Sequence, residues 1–333
     1  MSELDVIPTL PIIPTLPTFI PKLLTLSISQ IAPLIGLDNY NNFPKIFCEI
    51  WRKYNPEEFR EYELLLLNEN AGIKLVNSNE INDIQAIDSL IGTNIAQQIN
   101  ALNENKDKTS YDMVAKQTEI TKYINTQDKL NTTQKTELIK TICSVSNKKH
   151  GINNEDAIMK EFCRISEKTL KQEQGWVEIK LVLTDIIQWV IIGKYDGITS
   201  ENELIEAKMR QKGLFKKMRD YENVQVQLYL HALEFKQGYL VENFTNKKNE
   251  MNIHIHEITY DAEYVNEIII ERLKHFTTFF ENVMQDNINN SNNNKTYYNK
   301  KTILNGLFTG DKKRDIYNIY ENVYLGLYDM SMD

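Results

Sequence analysis

The stretch Trp189-Val-Ile-Ile-Gly-Lys-Tyr-Asp-Gly197, a polar turn at Thr199–Asn202, and then Glu203-Leu-Ile-Glu-Ala-Lys208 decide the fold. The apolar run that ends in Asp-Gly predicts a buried strand, and the Gly, Thr, Ser and Asn residues after it predict a reversal of the chain. The second run predicts a strand that turns Glu206 and Lys208 to one face, because residues two apart in a strand point the same way. Two carboxylates that meet at a hairpin form a hard-oxygen site for Mg²⁺ or Mn²⁺. A lysine beside them steadies a phosphate or the attacking water, so the pattern indicates phosphodiester hydrolysis.

The Glu-x-Lys triplet alone is weakly specific. The chain contains it three more times, at residues 104–106, 178–180 and 234–236, where a solvated charge pair is the ordinary interpretation. Glu206 and Lys208 differ from these because an apolar strand delivers Asp196 just before them and predicted helices flank them on both sides.

Each flanking helix offers one further polar candidate. The helix predicted at 219–236 carries Gln225 one turn before Tyr229. A glutamine there hydrogen-bonds a phosphate, a base edge or the catalytic carboxylate, although a single surface glutamine is the ordinary interpretation. In the helix predicted at 154–170, Asn153 or Asn154 caps the first turn. Glu155 then either answers the helix dipole or serves as a third carboxylate, and spacing leaves both roles open.

The order of these motifs resembles one nuclease family. Gly151-x-x-x-Glu155, two strands, Asp196-Gly197, Glu206-x-Lys208 and Gln225-Val-Gln-x-Tyr-Leu230 follow one another, preceded by the serine-led helix of Leu26–Tyr40 and followed by the strand Ile255–Asp261. The series resembles the lambda-type exonucleases, the YqaJ-like viral recombinase branch of the PD-(D/E)xK nuclease superfamily. The likeness covers about residues 22–44 and 148–287. It departs from the family at Tyr195, where proline is usual, and in the length of the segment between the two parts.

The resemblance implies a metal centre with two Mg²⁺ or Mn²⁺ ions. Asp196, Glu206 and the backbone carbonyl of Ala207 would bind one ion, and Glu155 would bind or orient the second. Lys208 would position the nucleophilic water or stabilise the charge that develops on the phosphate.

The resemblance also implies contacts to DNA. Gln225 matches a glutamine that contacts the metal site or the substrate, and Gln227 and Tyr229 on the same helix are expected to contact DNA. Ser29 and Lys22 match a serine and a basic residue, usually arginine, that hold a 5′-phosphate.

The charge distribution adds a second expectation about DNA. The net charge of −8 excludes a general nucleic-acid coat protein, which would be basic. A local basic run nevertheless lies between the metal triad and the glutamine helix. A solvated loop is the ordinary interpretation of such a run, but beside an active site contact with DNA phosphates is expected. Its members after Lys208 are Arg210, Lys212, Lys216, Lys217 and Arg219.

The cysteines and the N-terminal segment indicate the compartment. Cys48, Cys143 and Cys163 form no Cys-x-x-Cys pair, which indicates a reducing compartment and excludes a four-cysteine iron–sulfur cluster. The start is acidic and broken by prolines, unlike a signal peptide, and no run is long and apolar enough to span a membrane. We therefore expect an intracellular protein, in the host cytoplasm or virion if viral, that is not secreted. Heavy use of Asn, Ile and Lys suggests an AT-rich source genome, such as a large DNA virus, a phage or a low-GC bacterium.

The predicted fold class is α/β of the mixed type, with a PD-(D/E)xK restriction-endonuclease-like core in which helices flank a central mixed sheet. A Pro-rich extended arm at 1–26 would pack on its own or a neighbouring subunit. The other predicted parts are an N-terminal helical part at 27–67, a helical insertion or lid at 68–147, the nuclease core at 148–287 and an aromatic-rich tail at 288–333.

With the metal site, the resemblance implies a metal-dependent 5′→3′ exonuclease that degrades one strand of duplex DNA from its ends, in recombination, repair or defence. It also implies a homo-oligomer, and a single-strand annealing protein is a further expected partner besides DNA. The alternatives are an endonuclease of structure-specific or restriction type on the same fold and an inactive DNA-binding scaffold.

Overall fold

The strand that carries Asp196 lies in the interior of the sheet, with strands paired to both of its edges, as its apolar sequence predicts. A computed structural model describes residues 22–38, 43–61, 109–128, 130–181 and 186–285. Within them a six-stranded mixed sheet has helices on both faces. The strands are β1 (Lys22–Ser27), β2 (Leu170–Leu181), β3 (Ile187–Thr199), β4 (Leu204–Met209), β5 (Gln237–Thr245) and β6 (Met251–Thr259).

The helices precede, separate and follow these strands. They are α1 (Ile28–Leu34), α2 (Phe43–Tyr54), α3 (Ser110–Asn125), α4 (Thr132–Ser166), α5 (Asp220–Leu233) and α6 (Glu271–Met284), with a π-helical segment (Tyr264–Ile270) leading into α6. Residues 56–61 are also helical. None of the helices in the described ranges is long and apolar enough to cross a membrane.

Alternation along β4 and β5 explains how the sheet holds a helix on each face. Leu204 and Leu240 are buried in the larger core with α5, α1 and α6. Their neighbours Ile205 and Val241 are buried in a smaller core with Ile158, Met159 and Phe162 of α4. The order α4–β2–β3–β4–α5–β5, with β4 and β5 parallel, confirms the predicted mixed α/β fold in which helices flank a central sheet.

The two edges of β3 are occupied differently, and this difference creates the site. β2 pairs antiparallel along β3 from Trp189 to Thr199. β1 and β4 must then share the other edge, because each position of an edge accepts one partner. β1 pairs with Ile187–Ile192, and β4 pairs only with residues 197 and 198. The edge of β3 between Gly193 and Asp196 therefore faces a gap.

The helix with Glu155 differs from the prediction. The expected start at Asn153 or Asn154 is wrong, because α4 runs without a break through Gly151 from Thr132 to Ser166. Asn154 does not cap it: its Nδ2 donates to the carbonyl of His150 at 2.8 Å. The predicted boundary between insertion and core, at residues 147/148, thus lies within one helix.

The N-terminal part also differs from the prediction. Lys22–Ser27 is strand β1 and pairs parallel with β3, so the last residues of the predicted arm belong to the sheet. Ser27, not Ser29, is the N-cap of α1, in a capping box with Gln30. The arm at 1–21, residues 68–108 of the predicted insertion and the aromatic tail at 288–333 lie outside the described residues.

Candidate active site

The two central acids are brought level with each other by the β3–β4 hairpin. Gly197 pairs with Ile205, and continuation of this register places Asp196 beside Glu206. The strands separate here instead of pairing. The backbone N–H of Ala207 donates to Oδ2 of Asp196 at 2.8 Å, so the carboxylate takes the place of a strand partner.

Glu206 is the centre of a compact polar cluster. Its Oε1 accepts from Lys208 Nζ at 2.7 Å and from Gln225 Nε2 at 2.7 Å. Lys208 also donates to Oε1 of Gln225 at 3.1 Å, which closes a three-membered network. The predicted Glu-x-Lys pair and the predicted glutamine of α5 are thus in direct contact.

The other carboxylate oxygen of Glu206 has no hydrogen-bond partner in the part of the chain that the structure describes. Glu206 is 3% exposed, and its Oε2 is buried without a hydrogen bond to any described residue. Burial raises the pKa of Glu206 to about 8, although Lys208 opposes this effect. Burial likewise raises the pKa of Asp196, against the opposing charges of Lys208 and Lys194 and the Ala207 N–H. Both carboxyl groups would therefore gain from a nearby cation.

Glu155 approaches from α4 and is held by a residue that sequence analysis missed. Gln174 of β2 donates from Nε2 to Oε2 of Glu155 at 2.8 Å. Gln174 has a φ of 48°, a left-handed conformation that interrupts the regular pleat of β2. Burial raises the pKa of Glu155, and the charge of Asp196 raises it further. No local sequence signal marks Gln174, since the polar run before it is typical of any exposed strand.

Glu155, Gln174 and Asp196 face a cavity of about 220 Å³ between α4 and the ends of β2 and β3. Its lining residues are Glu155, Asp156, Met159, Glu173, Gln174 and Asp196. The opening is acidic, as a site for cations requires.

The donor set fits a hard divalent ion. Carboxylate oxygens of Asp196, Glu206 and Glu155 are the ligand type that Mg²⁺ and Mn²⁺ prefer, and the buried unpartnered Oε2 of Glu206 supplies an acceptor that lacks a donor. The carbonyl of Ala207 fits as well, because the N–H and C=O of one strand residue project to the same side and this N–H faces Asp196. Within the described ranges, no group of three or more His, Cys, Asp or Glu side chains lies close enough together to hold a metal ion as the side chains are placed.

Gln227 and Tyr229 of α5 are placed differently from the prediction. Both are 3% exposed, so neither is available to DNA. Gln227 donates to the carbonyl of Thr259 at 2.9 Å and accepts from the N–H of Asp261 at 2.9 Å, which ties α5 to the end of β6. The hydroxyl of Tyr229 donates to the carbonyl of Lys194 at 2.7 Å. Tyr229 therefore supplies a hydrogen bond to the Lys194 carbonyl, which lies at the gap of β3, and stabilises the backbone two residues before Asp196.

Arg210 also corrects the prediction of a basic surface run. It is 8% exposed and lies between two buried carboxylates, with Glu222 at 2.7 Å and Glu242 at 2.5 Å. The other oxygen of Glu242 accepts the N–H groups of Phe215 and Lys216 at 2.9 and 3.0 Å. Arg210 is thus a structural cation that anchors the loop after β4, and only the residues beyond it remain candidates for phosphate contact.

The rest of the basic run lies at the surface. Lys212, Lys216 and Lys217 are exposed, and the guanidinium of Arg219 stacks 4.6 Å from the ring centroid of Phe215. The loop that carries these residues connects β4 to α5 and so borders the Lys208–Gln225 network.

Lys22 and Ser29 are not brought together. Lys22 pairs with Ile187, at the end of β3 remote from Asp196, so nine residues or roughly 30 Å of strand separate them. Its ammonium contacts the carbonyl and the ring of Tyr54 instead. Ser29 is exposed near the gap, in the first turn of α1, with its hydroxyl 2.9 Å from that of Ser27. A shared phosphate pocket of Lys22 and Ser29 is therefore excluded by their positions.

The comparisons with known proteins concern the fold alone. No family model matches the chain, and no curated protein sequence matches it. The solved structures similar to this chain include SSO0001, at 15% identity and a TM-score of 0.32, and an alkaline exonuclease (LHK-Exo) from Laribacter hongkongensis, at 14% identity and a TM-score of 0.32. Each match covers 42% of this chain, with 63% of SSO0001 and 74% of the exonuclease. The chain thus spans less than two thirds of SSO0001.

Proposed function

We propose that this protein is a metal-dependent deoxyribonuclease, and more specifically a 5′→3′ exonuclease that degrades one strand of duplex DNA from its ends. One observation carries the proposal: a buried carboxylate, Glu206, contacts a lysine and a glutamine beside a gap of the sheet, and one of its oxygens accepts from no donor among the described residues. Such an arrangement costs stability unless a cation completes it. Asp196 and Glu155 supply further acidic oxygens beside the same gap.

The residues of the chain divide the work of hydrolysis. Asp196, Glu206, Glu155 and the Ala207 carbonyl would hold Mg²⁺ or Mn²⁺. A divalent ion so bound polarises a phosphate oxygen and makes water more acidic. Lys208 has three N–H donors, of which Glu206 and Gln225 accept two, so a third is left for the attacking water or a phosphate oxygen. Gln225 fixes the rotamer of Lys208 and thereby the direction of that third donor.

The proposal also includes a preference for DNA ends and for a 5′-phosphate. Ser29 stays a candidate for phosphate contact because it is exposed beside the gap, whereas Lys22 does not. The exposed cations after Arg210 are the remaining candidates for the DNA backbone. Assembly into a homo-oligomer and cooperation with a single-strand annealing protein are likewise proposals.

The test is digestion of linear duplex DNA, with and without a 5′-phosphate, and of closed circular DNA, each with and without Mg²⁺ or Mn²⁺. Asp196→Asn is the inactive variant, and Glu178→Gln is its matched control because Glu178 is an exposed carboxylate on β2 that pairs with the exposed Lys180. We expect progressive loss of 5′-phosphorylated strands by the wild type and the control, and none by Asp196→Asn.

Each other outcome assigns a different function. Cutting of closed circular DNA would replace the exonuclease with an endonuclease on the same fold. Loss from both kinds of end at equal rates would remove the 5′-phosphate preference and with it the role of Ser29. Absence of metal-dependent cleavage of every substrate would contradict the nuclease and leave a DNA-binding scaffold.

A further inference from the structure

Trp176 is an exposed aromatic residue beside the candidate active site. It lies on β2 with 70% of its surface exposed, the largest fraction among the exposed large hydrophobic residues of the described chain. The other two tryptophans, Trp51 and Trp189, are fully buried in the core. A tryptophan in the centre of a strand loses the hydrophobic gain of burial when it is left in water. This position therefore indicates a binding role.

The sheet register fixes the distance from Trp176 to the site. Trp176 pairs directly with Lys194 of β3, so their Cβ atoms are about 5 Å apart. Lys194 precedes Asp196 by two residues, which is about 7 Å along a strand. The Cβ atoms of Trp176 and Asp196 are thus about 9 Å apart, which is about two or three nucleotides at about 3.4 Å per nucleotide in a stacked strand.

Lys194 supplies the matching charge. Its side chain is exposed, and its positive charge acts on both Asp196 and Glu155. A cation between an exposed aromatic ring and a set of phosphate-cleaving acids suits a strand whose phosphate contacts the lysine while its base contacts the ring. The hydroxyl of Tyr229 donates to the carbonyl of Lys194 at 2.7 Å, and this hydrogen bond fixes the backbone of Lys194.

We propose that Trp176 and Lys194 form a stacking platform for one unpaired nucleotide next to the scissile phosphate. This inference rests on the proposed function, which it deepens by naming single-stranded DNA as what occupies this surface. An unpaired strand is required because a base offers its face to an aromatic side chain only when it has left the duplex stack. The same chemistry acts on every base, so the platform selects single strands over duplex and not one sequence over another.

The position of Trp176 makes the platform directly measurable. Because Trp51 and Trp189 are buried, the solvent-exposed component of tryptophan emission comes from Trp176. The free protein is titrated with an oligothymidylate and with a blunt duplex of equal length, without divalent ions and at low salt. We expect the oligothymidylate to quench this component and the blunt duplex to leave it largely unchanged.

Variants separate stacking from other effects. Trp176→Ala is expected to weaken single-strand binding, measured by anisotropy of a labelled strand, by about 5- to 150-fold, the range for loss of one base–aromatic stack. Trp176→Phe retains an aromatic ring, so its single-strand affinity should lie between those of the wild type and Trp176→Ala. Leu23→Ala is the matched control: Leu23 is 57% exposed on β1 but pairs with Gln188, eight residues and roughly 26 Å from Asp196.

The failures are distinguishable. Unchanged single-strand affinity and no quenching, in a protein that still cleaves DNA, would overturn the platform and leave the nuclease. A different result would support the platform and overturn the nuclease. It is quenching of the wild-type emission by the oligothymidylate and the expected loss of single-strand affinity in Trp176→Ala, in a protein that shows no metal-dependent cleavage. Blue-shifted emission that acrylamide does not quench would show Trp176 covered by another segment or a second copy of the chain, which would also overturn the platform.

Discussion

Arg210 offers the sharpest test of how the fold holds the loop beside the active site. It is the cation between Glu222 and Glu242, which are 1% and 0% exposed. Replacement by alanine leaves two buried carboxylates without their counter-charge. Breaking a buried ion pair in this way costs about 3–5 kcal/mol. At about 2 °C per kcal/mol for a chain of this size, we expect the melting temperature at pH 7.5 to fall by about 6–10 °C.

The pH dependence gives this prediction a sign. Burial alone would raise the pKa of Glu242, but hydrogen bonds from the Lys216 N–H and from Arg210 outweigh it and lower that pKa. The wild type therefore gains stability from Glu242 above about pH 4.5 and loses it as the pH falls through the lowered folded pKa. Arg210→Ala removes both contributions of Arg210 that lower this pKa, so we expect the pKa of Glu242 to rise and the variant to lose stability relative to the wild type as the pH rises. The gap between the two proteins should shrink from pH 7.5 towards pH 5.

Thermal unfolding followed by circular dichroism is the assay, with two companion variants. Lys212→Ala removes a neighbouring exposed cation and should stay within about 0.5 kcal/mol of the wild type. Adding Glu222→Gln and Glu242→Gln to Arg210→Ala should recover most of the loss, because neutral amides need no counter-charge. A loss below about 1 kcal/mol in Arg210→Ala, or a gap that widens at low pH, would refute the buried-network reasoning.

Three further predictions concern the site. Gln225→Leu removes an acceptor of Lys208 and a donor to Glu206, so the rate of metal-dependent cleavage should fall about 10- to 100-fold while the melting temperature changes little. Mg²⁺ or Mn²⁺ at a hundredfold excess over Kd should stabilise the wild type by about 2.7 kcal/mol. Glu206→Gln should lose this stabilisation in thermal shift assays. Equal shifts in both proteins would argue against Glu206 as a ligand. Tyr229→Phe removes the hydroxyl that donates to the carbonyl of Lys194, so we expect the free energy of unfolding in denaturant to fall by about 1 kcal/mol and the cleavage rate to fall measurably. Wild-type values for both would contradict a role of Tyr229 in supporting the site.

Local sequence patterns predicted the part of the fold that lies around the hairpin. Strand alternation and the Asp-Gly turn were sufficient for β3, β4 and their acids, because side-chain direction in a strand follows from position alone. The pairing of Glu206, Lys208 and Gln225 also follows, since a strand and the next helix of an α/β unit are adjacent in space. These residues were found without long-range information.

Two of the errors, at the start of α4 and at Arg210, involve long-range contacts. Gly151 and the Asn residues after it favour a helix start, but packing of Ile158, Met159 and Phe162 on the sheet and of upstream turns on α3 keeps α4 continuous. Arg210 belongs by sequence to a basic run, and only the buried Glu222 and Glu242 make it structural. Gln174 acquires its role from a left-handed φ, which no residue type other than glycine would have suggested.

The dependence of DNA cleavage on Mg²⁺ tests the central claim most directly. The initial rate on an end-labelled linear duplex would be measured across a Mg²⁺ titration for the wild type, Asp196→Asn and the control Glu178→Gln. The account predicts saturable, metal-dependent cleavage by the wild type and the control, and a rate at least about 10²-fold lower for Asp196→Asn at every concentration. Equal rates for all three proteins, or cleavage that persists without divalent ions, would contradict a catalytic site at Asp196 and Glu206.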